Sequence, residues 1–419
     1  MTRLVSSKML LWLSAKQISD ISAFLTSIIL NVYALALFGN PAFLGILLAL
    51  RMSGSIIGAY LVPVLSRRLS LSTILVLAEF GSALTMLVLV VSSTEAHRVL
   101  LLLVAPCIGI FHGIFHVALY SQVHSFVERE NQHRMNSVLA SMDGIAVVVG
   151  GIASSILYQL MPLRMIFLLD AMTFVVAALV FVFFRRTLPA VQDGGAARPA
   201  PGKTGRFPFS GQVVRAILAT AGFLFAARFM EAFGSSAHNV GFPIISAHFD
   251  PANPAFLVGW IMALWGAGKV VATLATTPMI RRMQGVGLQS DMIFVVFLVL
   301  TFGFFLGVFR SEGFWMCLAF AFMAGLFDAS TETVYYSALQ SNTKVRTDTL
   351  IGASYSLERV GMGAGILLAG YAYSVIEAPR DVATGAYIGA ILICCALALA
   401  KSVRVVRRAA RSSYTEPKA

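Results

Sequence analysis

His112 and His116 stand four residues apart in an apolar stretch, and 216 residues further on Asp328 and Glu332 occupy the same two places. On a helix, residues four apart sit about 40° from each other on one face. Imidazoles and carboxylates exchange protons, hold cations and hydrogen-bond polar ligands, and two of each could also hold a divalent ion. In hydrocarbon an ionisable side chain costs a few kcal/mol, so it normally faces a cavity and marks a site. A basic pair opposite an acidic pair is therefore read as a proton- or cation-responsive site that binds a polar ligand. The bland alternative is four packing residues that hydrogen-bond one another. A resident metal is not expected, because all four would have to meet at one point.

Other charges fall into the same kind of pairs. Lys16 and Asp20 are four apart, and Arg228 and Glu231 correspond to them in the second half. Each could be a self-neutralising pair that makes its helix insertable, with Asp20 the better functional candidate because it lies deeper. Arg51 is a candidate partner for Asp20. Asp143 and Glu358 match at an offset of 215, with Arg359 beside the second. They would line a vestibule or lock two halves together, as would the exposed pair Arg67 and Arg68. Glu79, Asp170 and Lys269 read as hydrogen-bonding positions inside a bundle. Phosphate-loop and other enzyme motifs are absent, and Gly361-Met362-Gly363-Ala364-Gly365 has no strand before it, so it reads as close helix packing. No catalytic residue and no cofactor are expected.

The elements that must hold these residues repeat. Asn40-Pro41-Ala42-Phe43-Leu44-Gly45 recurs as Asn253-Pro254-Ala255-Phe256-Leu257-Val258-Gly259, Arg67-Arg68 as Arg281-Arg282, and Tyr120-Ser121 as Tyr336-Ser337. A nearly constant offset of 213 to 216 residues describes two homologous halves, too long to be units of a soluble solenoid. With 58% hydrophobic and 12% charged residues, no water-soluble packing would cover the apolar surface. The apolar runs predict twelve helices, near 10–37, 42–65, 71–93, 98–124, 136–160, 164–184, 215–247, 254–279, 288–309, 313–341, 349–375 and 383–404. The fold class is thus an all-α membrane protein, twelve spans in two pseudo-symmetric six-helix bundles. Parallel halves imply a two-fold axis along the bilayer normal with a ligand path between them.

The net charge of +12 invites a nucleic-acid reading, which the placement of the bases rejects. Twenty-two lysines and arginines fall in segments on one side of the predicted spans, four on the other and five within helices. The bias places both termini in the cytoplasm. Residues 187–213, rich in Pro, Gly and Ala, read as a cytoplasmic linker between bundles 1–186 and 214–405, and 406–419 as a basic tail for anionic lipid. Cys107, Cys317, Cys394 and Cys395 lie in apolar helices without metal-site spacing.

Leu11-Trp12-Leu13 with Asp20, Leu47-Leu48-Ala49-Leu50-Arg51, Met135-Asn136-Ser137-Val138-Leu139 and Phe167-Leu168-Leu169-Asp170-Ala171-Met172-Thr173-Phe174 carry a family resemblance. Together they resemble the major facilitator superfamily, and within it the bacterial branch of enterobactin exporters and macrolide efflux pumps. Two motifs depart from that pattern: Arg67 stands where a carboxylate is usual, and Gly150-Gly151 lacks the proline of the antiporter signature. The resemblance implies that helices 4 and 10 line a central cavity. It implies a monomeric, proton-coupled exporter of a small amphipathic or zwitterionic molecule, a drug or siderophore-like metallophore, in a bacterial inner membrane. Uptake of a metabolite by symport, a non-transporting sensor and a membrane enzyme are the alternatives.

Overall fold

The computed structural model describes residues 7–126, 132–184, 211–340 and 347–415. The expected linker falls largely outside them. Twelve helices run α1 Ser7–Phe38, α2 Pro41–Leu65, α3 Leu71–Val91, α4 His97–Phe126, α5 Gln132–Leu160, α6 Leu163–Phe184, α7 Gly211–Phe249, α8 Ala255–Gly285, α9 Ser290–Arg310, α10 Phe314–Gln340, α11 Thr347–Val375 and α12 Pro379–Thr415. The largest departures from expectation are α8 and α12, which continue past 279 and 404. Hydropathy marks where the bilayer would end, whereas Arg, Met, Gln, Lys and Ala keep a helix going beyond it. Among the described residues ten helices are long and apolar enough to cross a membrane, and α7 and α11 fall short of that measure. Both carry charge midway, at Arg228 and Glu231 and at Glu358 and Arg359.

The repeat governs the packing. Helix α1 lies against α5 and α6, α2 against α4, and α3 against α4 and α6; α7 to α12 reproduce every one of these pairings. The halves meet through an equally symmetric pair of contacts, α5 against α8 and α2 against α11. Lipid is as apolar as leucine, so such helices associate through close packing at small residues rather than by hydrophobic burial. Gly45 of α2 faces Gly370 of α11, where a Cβ on Gly45 would stand 3.0 Å from the partner Cα. Gly151 of α5 faces Gly259 of α8, where a Cβ would meet a carbonyl at 2.5 Å. All four glycines lie toward the end at which α2 and α8 begin, so the halves are pressed together there.

The repeated Asn-Pro motif has diverged at that end. Asn40 caps α2, its side chain accepting from the Ala42 N–H at 2.8 Å, with Pro41 at the first helical turn. Asn253 is buried and donates instead to the Ser155 carbonyl across the interface at 3.2 Å. Asp250 takes over the turn, accepting from the N–H groups of Ala252 and Asn253 at 3.1 Å. The outer surface is apolar: Leu84, Val91, Leu274, Trp315 and Leu399 are all exposed. A water-soluble protein would not leave so much unpartnered, and lipid covers it at no cost.

Candidate functional site

Three of the charge pairs read from the sequence assemble into two equivalent triads. In the first half Lys16 of α1 pairs with Asp20 one turn on, and with Asp143 of α5 at 2.5 Å. In the second half Arg228 of α7 pairs with Glu231 at 2.6 Å and with Glu358 of α11 at 2.9 Å. Each triad places one cation between two carboxylates and pins the first helix of its half to the fifth. The spacing explains the local part, since residues three or four apart share a helix face. The long-range part follows from the repeated α1–α5 and α7–α11 contacts. The triads differ in exposure. Asp143 is 43% exposed, whereas the side chains of Glu231 and Glu358 are 6% and 16% exposed.

A second ionic cluster belongs to the second half alone. Lys269 of α8 lies 3.2 Å from Asp328 and 3.4 Å from Glu332, both on α10, and its ammonium sits over the Trp265 ring at 4.7 Å. Arg228 also approaches Glu332, at 3.9 Å, which links this cluster to the triad. In the first half the equivalent places hold His112, His116 and Ser55. His116 stacks on Tyr355 of α11 with ring centres 5.4 Å apart and lies tilted against Tyr120 at 4.5 Å. Ser55 and Tyr355 share a hydrogen bond of 3.2 Å. Among the described residues no hydrogen bond or ion pair joins the histidines to Asp328 or Glu332. The acids are held by lysine and arginine of their own half. Nor do any three His, Cys, Asp or Glu side chains there group as metal ligands.

Arg51 and Arg359 face the seam between α2 and α11. Arg51 donates to Ser27 at 2.6 Å rather than to Asp20, which Lys16 already occupies. Arg359 lies over Tyr355 at 4.8 Å and reaches the Met52 sulfur at 3.5 Å. A cavity of about 40 Å³ opens beside Arg51 between α1, α2, α3, α4 and α6, lined by Asp20, Glu79, His112 and Asp170 among others. Arg67 and Arg68 sit exposed on the turn after α2, well outside this arrangement.

The sequence profile of the major facilitator superfamily matches residues 17–227, just over half of the chain. The chain belongs to the Major Facilitator Superfamily. Among curated proteins no sequence match is found. The fold is shared with solved transporters at low identity. A peptide transporter POT in complex with sulfate has 14% identity and a TM-score of 0.72, over 96% of this chain and 95% of that one. The nucleoside transporter NupG has 14% identity and a TM-score of 0.68, over 92% and 99%. A bacterial homologue of the human lysosomal transporter Spinster, inward-facing and unoccupied, has 13% identity and a TM-score of 0.66, over 94% and 96%.

A facilitator works by letting two bundles pivot about a shared site, and the ion pairs of both triads and of Lys269 each lie within a single half. Lys269 holds Asp328 and Glu332 only while both are ionised, and a proton on either carboxyl removes its half of the attraction. Asp143 is the carboxylate of the first triad most open to water. Sequence reasoning left Lys269 among structural positions and did not single out Tyr355. The signal for Lys269 was present, since an intramembrane lysine needs an anionic partner. Tyr355 has no signal of its own, because a tyrosine in an apolar helix is equally at home in lipid.

Proposed function

We propose that this facilitator is a proton-coupled transporter that moves a small amphipathic or zwitterionic molecule out of the cell. The two bundles, 1–186 and 214–405, rock about a site bounded by Asp20, Arg51, His112, His116, Glu231, Asp328 and Glu332. Family membership makes the chain a secondary transporter. The Lys269–Asp328–Glu332 cluster is the observation that carries proton coupling. Its carboxyls are partly exposed, at 16% and 38%, although they lie on a membrane-spanning helix, so water in the cleft reaches them. Protonation of Asp328 or Glu332 would free Lys269, loosen the link to Arg228 and change which face the cleft opens to. Substrate binding by the same groups would favour release of the proton.

Mixed charge supports the substrate class. Arg51, Arg359 and the two histidines lie on the α2, α4 and α11 side, while Asp328 and Glu332 lie on α10. A molecule with an anionic and a cationic end, or a drug-like amine, would find a partner for each. Export follows from the resemblance to the enterobactin and macrolide efflux branch. The bias of basic residues supports cytoplasmic termini, and the family resemblance supports a bacterial inner membrane. In that orientation the Gly45–Gly370 and Gly151–Gly259 contacts lie at the periplasmic end. The test is accumulation of candidate zwitterions and amines in proteoliposomes under an imposed pH gradient. Accumulation that a protonophore collapses supports the reading. Accumulation indifferent to the protonophore would remove proton coupling from it.

A further inference from the structure

The first bundle carries two buried carboxylates that are held by hydroxyls rather than by a cation. One face of α1 presents hydroxyls at Ser19, Ser22 and Thr26, spaced by about one helical turn. Ser19 donates to the two carboxyl oxygens of Glu79 on α3 at 3.0 and 3.1 Å, and Ser22 donates to Asp170 on α6 at 2.6 Å. Glu79 is 2% exposed and Asp170 1% exposed, and neither has a basic group at ion-pair distance among the described residues. Thr26 is 3% exposed and lines the same cavity, its hydroxyl close to the Asp170 carboxyl but short of full hydrogen-bond geometry.

Charge counting gives the deficit. The cavity is lined by Asp20 from α1, Arg51 from α2, Glu79 from α3, His112 from α4 and Asp170 from α6. Asp20 has Lys16. Arg51 is the one lysine or arginine in the lining and is bonded to Ser27. Even with Arg51 set against one of the two remaining carboxylates, the other has no counter-charge at membrane depth, which is a costly arrangement. The fold does not require this interior. Matching α3 Leu71–Val91 to α9 Ser290–Arg310 puts Leu298 in place of Glu79, and matching α6 to α12 puts Ala386 in place of Asp170. At about 40 Å³ the cavity has room for one ion or a water or two.

We propose that this cavity binds one monovalent cation, Na⁺ or a proton, at Glu79 and Asp170, with the Thr26 hydroxyl as a further oxygen donor. Its two acids lie on the support helices α3 and α6, while Asp20, Arg51 and His112 of the proposed transport site line the same cavity. It deepens the proposed ion-driven transport by giving the first bundle a cation of its own. Its test uses neither substrate nor gradient, so it fails or stands independently of that reading.

The purified full-length protein is examined in two arms. In the first, the thermal midpoint is followed as NaCl replaces choline chloride at fixed ionic strength and pH. In the second, infrared spectra at fixed Na⁺ are searched for a protonated-carboxyl band. If Na⁺ is the ligand, it raises the midpoint of the parent, E79Q and D170N abolish the response, and T26V weakens half-saturation about tenfold or more. If the proton is the ligand, Na⁺ has no effect, and the carboxyl band is present in the parent, lost in E79Q or D170N and displaced in T26V. Thr26→Val keeps the side-chain shape, which guards against variants that fail to fold. No Na⁺ response together with no carboxyl band assignable to Glu79 or Asp170 overturns the proposal.

Discussion

Removing the cation from the second-half triad should cost far more stability than removing it from the first. Arg228 sits between Glu231 and Glu358 with both carboxylates largely buried, so Arg228→Met strands two anions in a dry site. Breaking a buried pair by deleting one partner costs about 3–5 kcal/mol. Lys16→Met strands Asp20 in the same way, but Asp143 is 43% exposed and water takes over its solvation. Losing one buried charge-assisted contact is worth about 1.5–3 kcal/mol, and the exposed one adds less than about 1 kcal/mol. The difference is readable as unfolding free energy in a lipid-like detergent, with the neutral triple variant Arg228→Met, Glu231→Gln, Glu358→Gln as control. That control should recover most of the loss, because no buried charge remains uncompensated. If Arg228→Met costs no more than Lys16→Met, or if the triple variant is as unstable as the single, the burial argument for these triads is wrong.

Three further outcomes test the account. Replacing His112 and His116 together by Gln should weaken substrate affinity while leaving folding intact; unchanged affinity would make them packing residues. In a background freed of Cys107, Cys317, Cys394 and Cys395, a cysteine at Asp250 should be labelled from outside intact spheroplasts and one at Gly194 should not, and the reverse pattern inverts the topology. Gly151→Val should wedge α5 from α8 beside Gly259, raising labelling at Asp250-end positions inside the cleft, and no change there would mean that the glycine contact does not seal that end.

Much of this arrangement is legible in the residues because the chain is written twice. The offset between Asp143 and Glu358, and between Lys16 and Arg228, marks positions that the structure joins into triads. Helix limits came through because apolar runs and turn residues coincide at most ends, as at Asn40-Pro41 and Ser70. The histidines opposite the acids were less legible. Symmetry gives equivalent places in the two halves but says nothing of which side chains touch, and Lys269, on a helix outside both pairs, takes the acids for its own half. The polar cavity around Glu79 and Asp170 escaped for a related reason. Each acid is single on its helix, and only the packing of α1 against α6 and the reach of Ser19 and Ser22 bring them to one space. Residues of the linker near Gly194 lie outside the described structure, so its path rests on composition alone.

The central claim is that protons act through Asp328 and Glu332, and one comparison addresses it directly. Parent and the Asp328→Asn, Glu332→Gln double variant are reconstituted side by side, and accumulation driven by a pH gradient is measured beside exchange at equal pH. Loss of gradient-driven accumulation with exchange retained is the expected result, since the amide and the carboxamide imitate the protonated state permanently. Full gradient-driven accumulation by the double variant would contradict the account and move the coupling role to Asp20.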